Sequence, residues 1–156
     1  MRLEQISREE DKIYCASLMA DYEPWVTMQR TAGQALGIIT DPTSEVFLVK
    51  EGDQIIGFTI LRMKGAFVGY IQSILIIKEF QRMGYGTKLI AELEKYIFSR
   101  YPNVFICASS FNPGALKLYK SLNYEVVGNL NDFIVKGHSE ILLRKSIGPI
   151  AGFKQN

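Results

Sequence analysis

The sequence predicts an α/β domain, and three features of the chain carry that prediction. Short β-branched and aromatic runs suggest seven strands, and apolar residues at helical spacing suggest four helices. These segments follow the order β-α-α-β-β-β-α-β-α-β-β. A length of 156 residues and a hydrophobic fraction of 47% suit one domain with a real core. We therefore expect a single domain over residues 1–145 and a C-terminal tail over residues 146–156.

The first half of the chain predicts a strand, two helices and then three strands. Ser7 and Glu10 have the spacing of a capping box, in which each side chain satisfies a free backbone amide of the other residue, so a helix should begin there. The Glu-Gly-Asp segment at residues 51–53 predicts a hairpin between two strands. The helices are expected over residues 7–21 and 28–39, and the strands over residues 2–6, 46–49, 54–60 and 67–77.

The second half predicts two helices that alternate with strands. The first helix follows a glycine-bearing turn at residues 81–86, carries apolar residues at helical spacing and ends at Pro102. The second should begin at Asn112, an N-cap residue followed by proline, and Asn123 suits the left-handed conformation that ends a helix. The strands are expected over residues 104–108, 124–128 and 139–144.

Charge and composition exclude several classes of function. The formal net charge of +2, from 18 basic and 16 acidic residues, is too balanced to indicate a nucleic-acid partner. No apolar run reaches membrane-spanning length, and the N-terminus has no apolar signal-peptide core, so we expect a cytoplasmic protein without a membrane partner. Cys15, Cys107 and His138 are too few for a zinc site, so we expect no metal and two reduced, inert thiols.

The turn at residues 81–86 has the features of a phosphate site. A glycine-bearing turn that opens a helix leaves backbone amides unpaired, and the helix dipole adds positive potential there. Gly84 and Gly86 let a ligand approach closely because neither has a Cβ, and Arg82 and Lys88 add charge. The alternative is a tight strand-to-helix connection that binds nothing. The third glycine of a dinucleotide fingerprint and the Gly-Lys-Ser/Thr ending of a P-loop are both absent.

Two motifs in this chain resemble those of the GNAT superfamily of N-acetyltransferases. Residues 81–86, Gln-Arg-Met-Gly-Tyr-Gly, match its acetyl-CoA signature, Arg/Gln-x-x-Gly-x-Gly/Ala, at every defining position. Asn112, Ala115 and the Leu-Tyr-Lys-Ser-Leu-Asn-Tyr segment at residues 118–124 are similar to the family's Asn…Ala…Leu-Tyr-x-x-x-Gly-Phe stretch. The resemblance covers residues 46–144. It implies the GNAT fold, a mixed, mostly antiparallel twisted sheet of about seven strands flanked by about four helices.

The resemblance implies an enzyme that transfers an acetyl group from acetyl-CoA to a primary amine of a small molecule or peptide, by direct attack through a tetrahedral intermediate. The turn amides would hold the pyrophosphate of CoA, and the central strand would pair with the pantetheine arm as an extra strand does. Tyr119 would protonate the departing sulfur. The cofactor-binding residues implied are Ile74, Leu75, Ile76, Gln81, Arg82, Met83, Gly84, Tyr85, Gly86, Thr87, Lys88, Asn112 and Tyr119.

The resemblance leaves the general base open. An alkylamine has a pKa of about 10.4 and attacks only when neutral, so the site must remove a proton. Many family members carry a glutamate on the central strand, where this chain has Gln72. We expect instead a water chain or a carboxylate from the acceptor side, such as Glu23 or Asp21. Glu23 lies close in sequence to Trp25, and an acid beside aromatic faces suits a cationic amine; in the alternative, Trp25 is a core anchor in an ordinary helix connection.

Two other functions stay open at this point. Because Gln72 is not a base, the chain suits an acyl-CoA-binding domain without turnover, with a sensor or regulatory role. The helix terminus also suits a nucleotide-phosphate binder, although the failed phosphate-loop patterns argue against it. The composition of the acceptor side names no substrate, and the sequence is compatible with both a monomer and a homodimer.

Overall fold

The computed structural model describes residues 1–155, which contain seven strands and four α-helices in the predicted order. The strands are β1 (Arg2–Gln5), β2 (Ser44–Glu51), β3 (Gln54–Arg62), β4 (Tyr70–Ile76), β5 (Asn103–Ser109), β6 (Glu125–Asn131) and β7 (Ser139–Ser146). The helices are α1 (Glu9–Asp21), α2 (Ala32–Ile39), α3 (Tyr85–Phe98) and α4 (Pro113–Ser121). A single 3-10 turn, Lys78–Phe80, links β4 to α3. None of the helices in residues 1–155 is long and apolar enough to cross a bilayer.

The seven strands form one sheet in the order β1-β2-β3-β4-β5-β7-β6. All neighbouring strands are antiparallel except β4 and β5, which are parallel. The parallel contact is short, because only Tyr70 pairs with Phe105 and Ile71 with Ile106. Beyond these two pairs, β4 continues beside β3, and β5 continues beside β7. The sheet therefore opens into a V, and its vertex lies at the two parallel pairs.

Gly69 allows the two strands to meet at this vertex. Its φ of 84° lies in the left-handed region, and a Cβ built on it would overlap the carbonyl oxygen of Asn103. Its own carbonyl accepts a hydrogen bond of 3.0 Å from the amide of Phe105. Only glycine satisfies both the backbone conformation and the close approach. Because Gly69 turns the chain here, β4 begins at Tyr70, three residues later than the sequence predicts.

The core consists of two clusters on opposite faces of the sheet. Side chains alternate between the faces along β2, so Val46 and Leu48 pack with α1 and α2, whereas Val49 packs with α3. The cluster that contains Val46 and Leu48 also includes Phe58 and Trp25. Because each face is covered by its own pair of helices, the sheet separates an α1–α2 side from an α3–α4 side.

The predicted Ser7–Glu10 capping box does not form. The N-cap of α1 is Arg8, and it makes no side-chain capping bond. Its guanidinium instead contacts Asp11 at 2.8 and 2.9 Å and Glu10 at 2.7 Å. The nearly buried carboxylate of Asp11 needs a charged partner, and Glu10 is held by the same guanidinium. Because Glu10 is held by Arg8, its side chain does not reach back to Ser7, and ion pairs form in place of the capping box.

The second helix also begins later than expected, at Ala32 rather than at residue 28. Thr31 and Gln34 form a complete capping box there, with bonds of 3.0 and 3.2 Å that set the start of α2. At the other end of the chain, β7 extends to Ser146, so the first residue of the predicted tail belongs to the sheet. The last residue of that tail, Asn156, lies outside the described residues.

Candidate active site

The V of the sheet opens into a cleft of about 1210 Å³. Its walls come from β4, β5, the starts of α3 and α4, the segment between α1 and α2, and the segment between β6 and β7. Along β5, Ile106 and Ala108 face α3 and α4, while Cys107 and Ser109 face the opposite side. The cleft is lined by residues of both kinds. It therefore passes through the split sheet and joins the α3–α4 side to the α1–α2 side.

The turn before α3 presents backbone amides to this cleft. Gly84 is the N-cap of α3 with a φ of 82°, and Arg82 also has a positive φ, 61°. The amide of Lys88 donates to the carbonyl of Gly84 at 3.1 Å, so the amides between these residues precede the first bond of the helix. Gln81 Nε2 donates to the carbonyl of Ile76 at 2.7 Å. This bond ties the turn to the end of β4, and Arg82, Gly84 and Gly86 of the turn line the cleft.

The outer edge of β4 forms one wall of the cleft. Ile74, Leu75 and Ile76 pair with β3 on one side and line the cleft. Gly57 of β3 lies so close that a Cβ on it would overlap the carbonyl oxygen of Leu75. An open strand edge offers amides and carbonyls to an extended chain. The three residues for which the resemblance implies pantetheine contacts therefore lie on a suitable edge.

Gln72 stands at a bulge in β4 and is held by Arg62. Ser73 pairs with Ile60 and Ile71 with Leu61, which leaves Gln72 as the extra residue of the bulge. Its side-chain oxygen accepts from Arg62 Nε at 2.6 Å, and Arg62 Nη1 bonds Asp41 at 3.0 Å. The pKa of Asp41 is lowered to about 2 by bonds from Thr43 and then from Arg62. The position at which the resemblance implies a glutamate is here a neutral amide bound to a guanidinium.

A Gln72→Glu substitution should not supply the missing base. The new carboxylate would lie against Arg62, which would hold its pKa low and make it a weak proton acceptor. For the amine acetylation that the resemblance implies, we expect kcat/KM to stay within about threefold of wild type, with no new acid limb in its pH profile. Gln72→Glu combined with Arg62→Leu is the matched control, because it frees the carboxylate. A tenfold gain in the single variant would contradict this prediction.

Tyr119 lies in α4 on the α3–α4 side of the cleft. It is only 5% exposed, and its ring centroid is 6.1 Å from that of Tyr124. Burial, followed by the nearby thiol of Cys107, raises the pKa of the Tyr119 hydroxyl. The hydroxyl therefore stays protonated at neutral pH and keeps its ability to donate a hydrogen bond.

Asn112 begins α4 as the sequence predicts. Its Oδ1 accepts from the amide of Ala115 at 3.1 Å, and Pro113 follows it as the first helical residue. The cap uses only the side-chain oxygen, and Asn112 also lines the cleft. The capping interpretation is confirmed, and it is compatible with a ligand contact through Nδ2.

Glu23 lies at the exposed rim of the cleft on the α1–α2 side. Its carboxylate accepts from the amide and the hydroxyl of Thr27 at 3.2 and 3.0 Å. Asp21 lines the same rim. Trp25 is 6% exposed and stacks on Phe58 at 6.1 Å, so the core-anchor interpretation describes it correctly. Glu23 therefore lies at the mouth of the cleft, and Trp25 packs in the core beneath it.

The cleft also contains a buried carboxylate that sequence reasoning missed, Glu140 of β7. Glu140 is 6% exposed, and its Oε1 accepts from Ser109 Oγ at 2.6 Å. Burial raises the pKa of its carboxyl, and the bond from Ser109 opposes that shift. In the sequence, Glu140 is one polar residue of an alternating strand. Only the register that pairs Ser109 with Glu140 brings it into the cleft.

The remaining candidates from the sequence have ordinary environments. Cys15 and Cys107 are free, and burial raises the pKa of both thiols, that of Cys15 to about 12, which makes them poor nucleophiles. His138 precedes β7 and packs edge-on against Phe111 with ring centroids 4.9 Å apart. Among residues 1–155, no group of three or more His, Cys, Asp or Glu is arranged to hold a metal ion.

Solved structures share this fold over nearly the whole chain. A protein from Desulfovibrio desulfuricans described as a GNAT-family acetyltransferase has a TM-score of 0.78 and 15% identity, covering 94% of this chain and 99% of its own. An aminoglycoside 6′-N-acetyltransferase complexed with coenzyme A has a TM-score of 0.72 and 17% identity, covering 96% and 98%. Mutant forms of the spermidine/spermine N-acetyltransferase from Vibrio cholerae have a TM-score of 0.70 and 19% identity, covering 93% of each chain.

Sequence comparison places the chain in a family, which the distant structural likenesses alone do not. No curated protein matches it significantly. The model of the acetyltransferase (GNAT) family matches residues 4–124, a span that includes β4, the turn before α3, and α4. Both motifs that line the cleft lie within that match. The chain therefore belongs to the GNAT family of acetyltransferases.

Proposed function

We propose that the chain is an N-acetyltransferase that transfers an acetyl group from acetyl-CoA to a primary amine of a small molecule or peptide. The observation that carries the proposal is the passage of the cleft through the split sheet. A thioester bound from the α3–α4 side would meet an amine that enters from the α1–α2 side. Structural neighbours that acetylate aminoglycosides or polyamines, by their names, support an amine as the acceptor.

The proposed cofactor site runs from the turn before α3 to the start of α4. Backbone amides at the start of α3 hold the pyrophosphate, and the edge of β4 pairs with the pantetheine arm. Asn112 contacts that arm beside its capping bond. Arg82 and Lys88 add positive charge, and both are exposed. The residues proposed to bind the cofactor are Ile74, Leu75, Ile76, Gln81, Arg82, Met83, Gly84, Tyr85, Gly86, Thr87, Lys88, Asn112 and Tyr119.

The proposed reaction is direct attack of the amine on the thioester carbonyl. Backbone amides on the open edge of β4 stabilise the oxyanion of the tetrahedral intermediate. Tyr119 donates its proton to the sulfur as the C–S bond breaks, because burial keeps its hydroxyl protonated. Glu23, at the rim, attracts the cationic amine to the mouth of the cleft. No covalent acyl-enzyme is required.

Ligand-dependent thermal unfolding tests the cofactor site first. Acetyl-CoA at about 100 times its dissociation constant should stabilise the protein by about 2.7 kcal/mol, which raises Tm by about 5 to 10 °C for a domain of this size. CoA should act similarly, whereas ATP and NAD at the same concentration should not. Equal stabilisation by ATP would contradict an acetyl-CoA site and favour a general phosphate binder.

A second candidate is a domain that binds acyl-CoA without turnover. The bond between Gln72 and Arg62 favours it, because no strand carboxylate is available at that position. Release of free CoA in the presence of a panel of primary amines separates the two functions. Release above the hydrolysis background supports the enzyme, and a cofactor-induced Tm shift without release from any amine supports the binding domain.

A further inference from the structure

We infer that Glu140 is the general base of the acceptor side, and that the acceptor is an alkylamine that arrives as an ammonium ion. This inference rests on the proposed acetyltransferase function and adds to it the missing proton acceptor and the charge state of the substrate. Its basis is a buried carboxylate without an ion-pair partner among residues 1–155, which lines the cleft opposite Ser109, three residues beyond the last parallel pair of β4 and β5.

The register of the sheet places Glu140 on the acceptor side. Ser109 is its partner across the β5–β7 pair, and Cys107 lies on the same face two residues earlier along β5. Tyr70 stands next to them at the vertex, since it pairs with Phe105. Tyr119 packs on the other face, with Ile106 and Ala108. A thioester held between the strands would therefore have a proton donor on one face of the sheet and a carboxylate on the other.

The surroundings of Glu140 leave its charge uncompensated. Its carboxylate accepts a hydrogen bond from Ser109, and none of the ion pairs within residues 1–155 involves it. The titratable groups facing it are Tyr70 on β4 and Cys107 on β5; burial raises the pKa of both, and the charge of Glu140 adds a smaller rise. On β6 its partner is the apolar Leu130. A buried carboxylate without a cation is costly, and a substrate ammonium ion would compensate it.

The carboxylate also has the capacity to act. Ser109 occupies one of about four acceptor positions on the two oxygens, so the others can receive N–H groups of an amine. Its raised pKa brings its basicity closer to neutral pH, which suits a general base. Glu23 differs in both respects, because it is exposed at the rim and already accepts two bonds from Thr27. The two carboxylates therefore suit successive roles, attraction at the mouth and proton removal inside.

The proton transfers balance as follows. The Glu140 carboxylate takes one proton from the ammonium ion, leaving a neutral amine whose lone pair forms a C–N bond to the thioester carbonyl. The C=O π electrons move to oxygen, and their return breaks the C–S bond. The sulfur takes the proton of Tyr119, and the positively charged nitrogen loses one proton that restores Tyr119. Glu140 then releases its proton to solvent, so one proton appears for each amide and free CoA formed.

The test compares Glu140→Gln with wild type on two acceptors. Glutamine keeps the size of the side chain and an oxygen that accepts from Ser109, but it does not take a proton. We expect kcat/KM at pH 7 to fall at least 100-fold for a primary alkylamine and less than tenfold for an arylamine, which is already neutral at that pH. The acid limb of the pH profile should disappear. The acetyl-CoA-induced Tm shift should be unchanged, and Glu125→Gln, an exposed β6 carboxylate, should match wild type.

A second variant gives an independent readout. The bond from Ser109 lowers the pKa of Glu140, so Ser109→Ala should move the acid limb to higher pH while retaining the limb itself. Equal losses for the alkylamine and the arylamine, or a lost cofactor shift in Glu140→Gln, would show a structural role and overturn the inference. Full activity of Glu140→Gln would also overturn it while leaving the acetyltransferase function intact. Absence of CoA release by wild type from any amine would overturn both.

Discussion

A Tyr119→Phe variant is expected to lose about 10²- to 10³-fold in kcat for CoA release, within the range that a positioned general acid contributes. Protonation makes the sulfur of CoA a better leaving group than the free thiolate, and burial keeps the hydroxyl of Tyr119 protonated throughout the neutral range. The loss should be largest at high pH, where solvent supplies few protons. The KM for acetyl-CoA should change little, because phenylalanine keeps the packing of the ring.

Tyr124→Phe is the matched control for that experiment. Tyr124 is as buried as Tyr119, and its ring lies 6.1 Å away, but it does not line the cleft. Steady-state CoA release for both variants, measured from pH 6 to pH 10, separates a proton donor from a packing residue. Unchanged turnover of Tyr119→Phe across that range would remove Tyr119 from the reaction and leave it as a core residue.

A Gly86→Glu variant is expected to weaken acetyl-CoA binding at least 100-fold. Gly86 lies in the first turn of α3, among the amides that precede the first helical bond. A Cβ on it would approach Leu118 of α4 at 3.7 Å, so a longer side chain extends into the cleft between the two helices. The new carboxylate would then repel the pyrophosphate and compete for the same backbone amides.

Gly86→Ala is the control, because an alanine Cβ at 3.7 Å from Leu118 makes an ordinary contact. We expect it to keep its Tm and to bind acetyl-CoA within about fivefold of wild type. Titration calorimetry on both variants gives the comparison. If Gly86→Glu stays folded and binds as tightly as wild type, the pyrophosphate does not lie at this turn.

The features that local chemistry determines could be predicted from the sequence. The turn before α3 and the cap of α4 depend on residues close together in the chain, and both lie where the motifs indicate. The α/β class, the element order and the GNAT family are also confirmed. Each of these rests on glycine, proline and apolar spacing, whose conformational preferences act over a few residues.

The features that pairing between distant segments determines could not be predicted. Glu140 became a candidate base only because the sheet register places it opposite Ser109, 31 residues earlier in the chain. Gln72 accepts a hydrogen bond from Arg62, and Arg62 also bonds Asp41; no local sequence pattern predicts these contacts. The capping box at Ser7 failed for a related reason, because the nearly buried Asp11 captured Arg8. Side-chain partners of this kind require the assembled fold.

The short contact between β4 and β5, beside Gly69, divides the sheet into two parts. Strands β1–β4 form one part of the sheet and strands β5–β7 the other, and the strand pairing between them consists of two parallel residue pairs. We therefore expect the angle between the two parts to vary more easily than the shape of either part. A cofactor that pairs with β4 and contacts α4 would bridge the two parts of the sheet and hold them at a fixed angle. Its binding free energy then includes the work of fixing that angle. Substitutions at Gly69 or Phe105, which do not line the cleft, should therefore change cofactor affinity by changing how firmly the two parts of the sheet are held together.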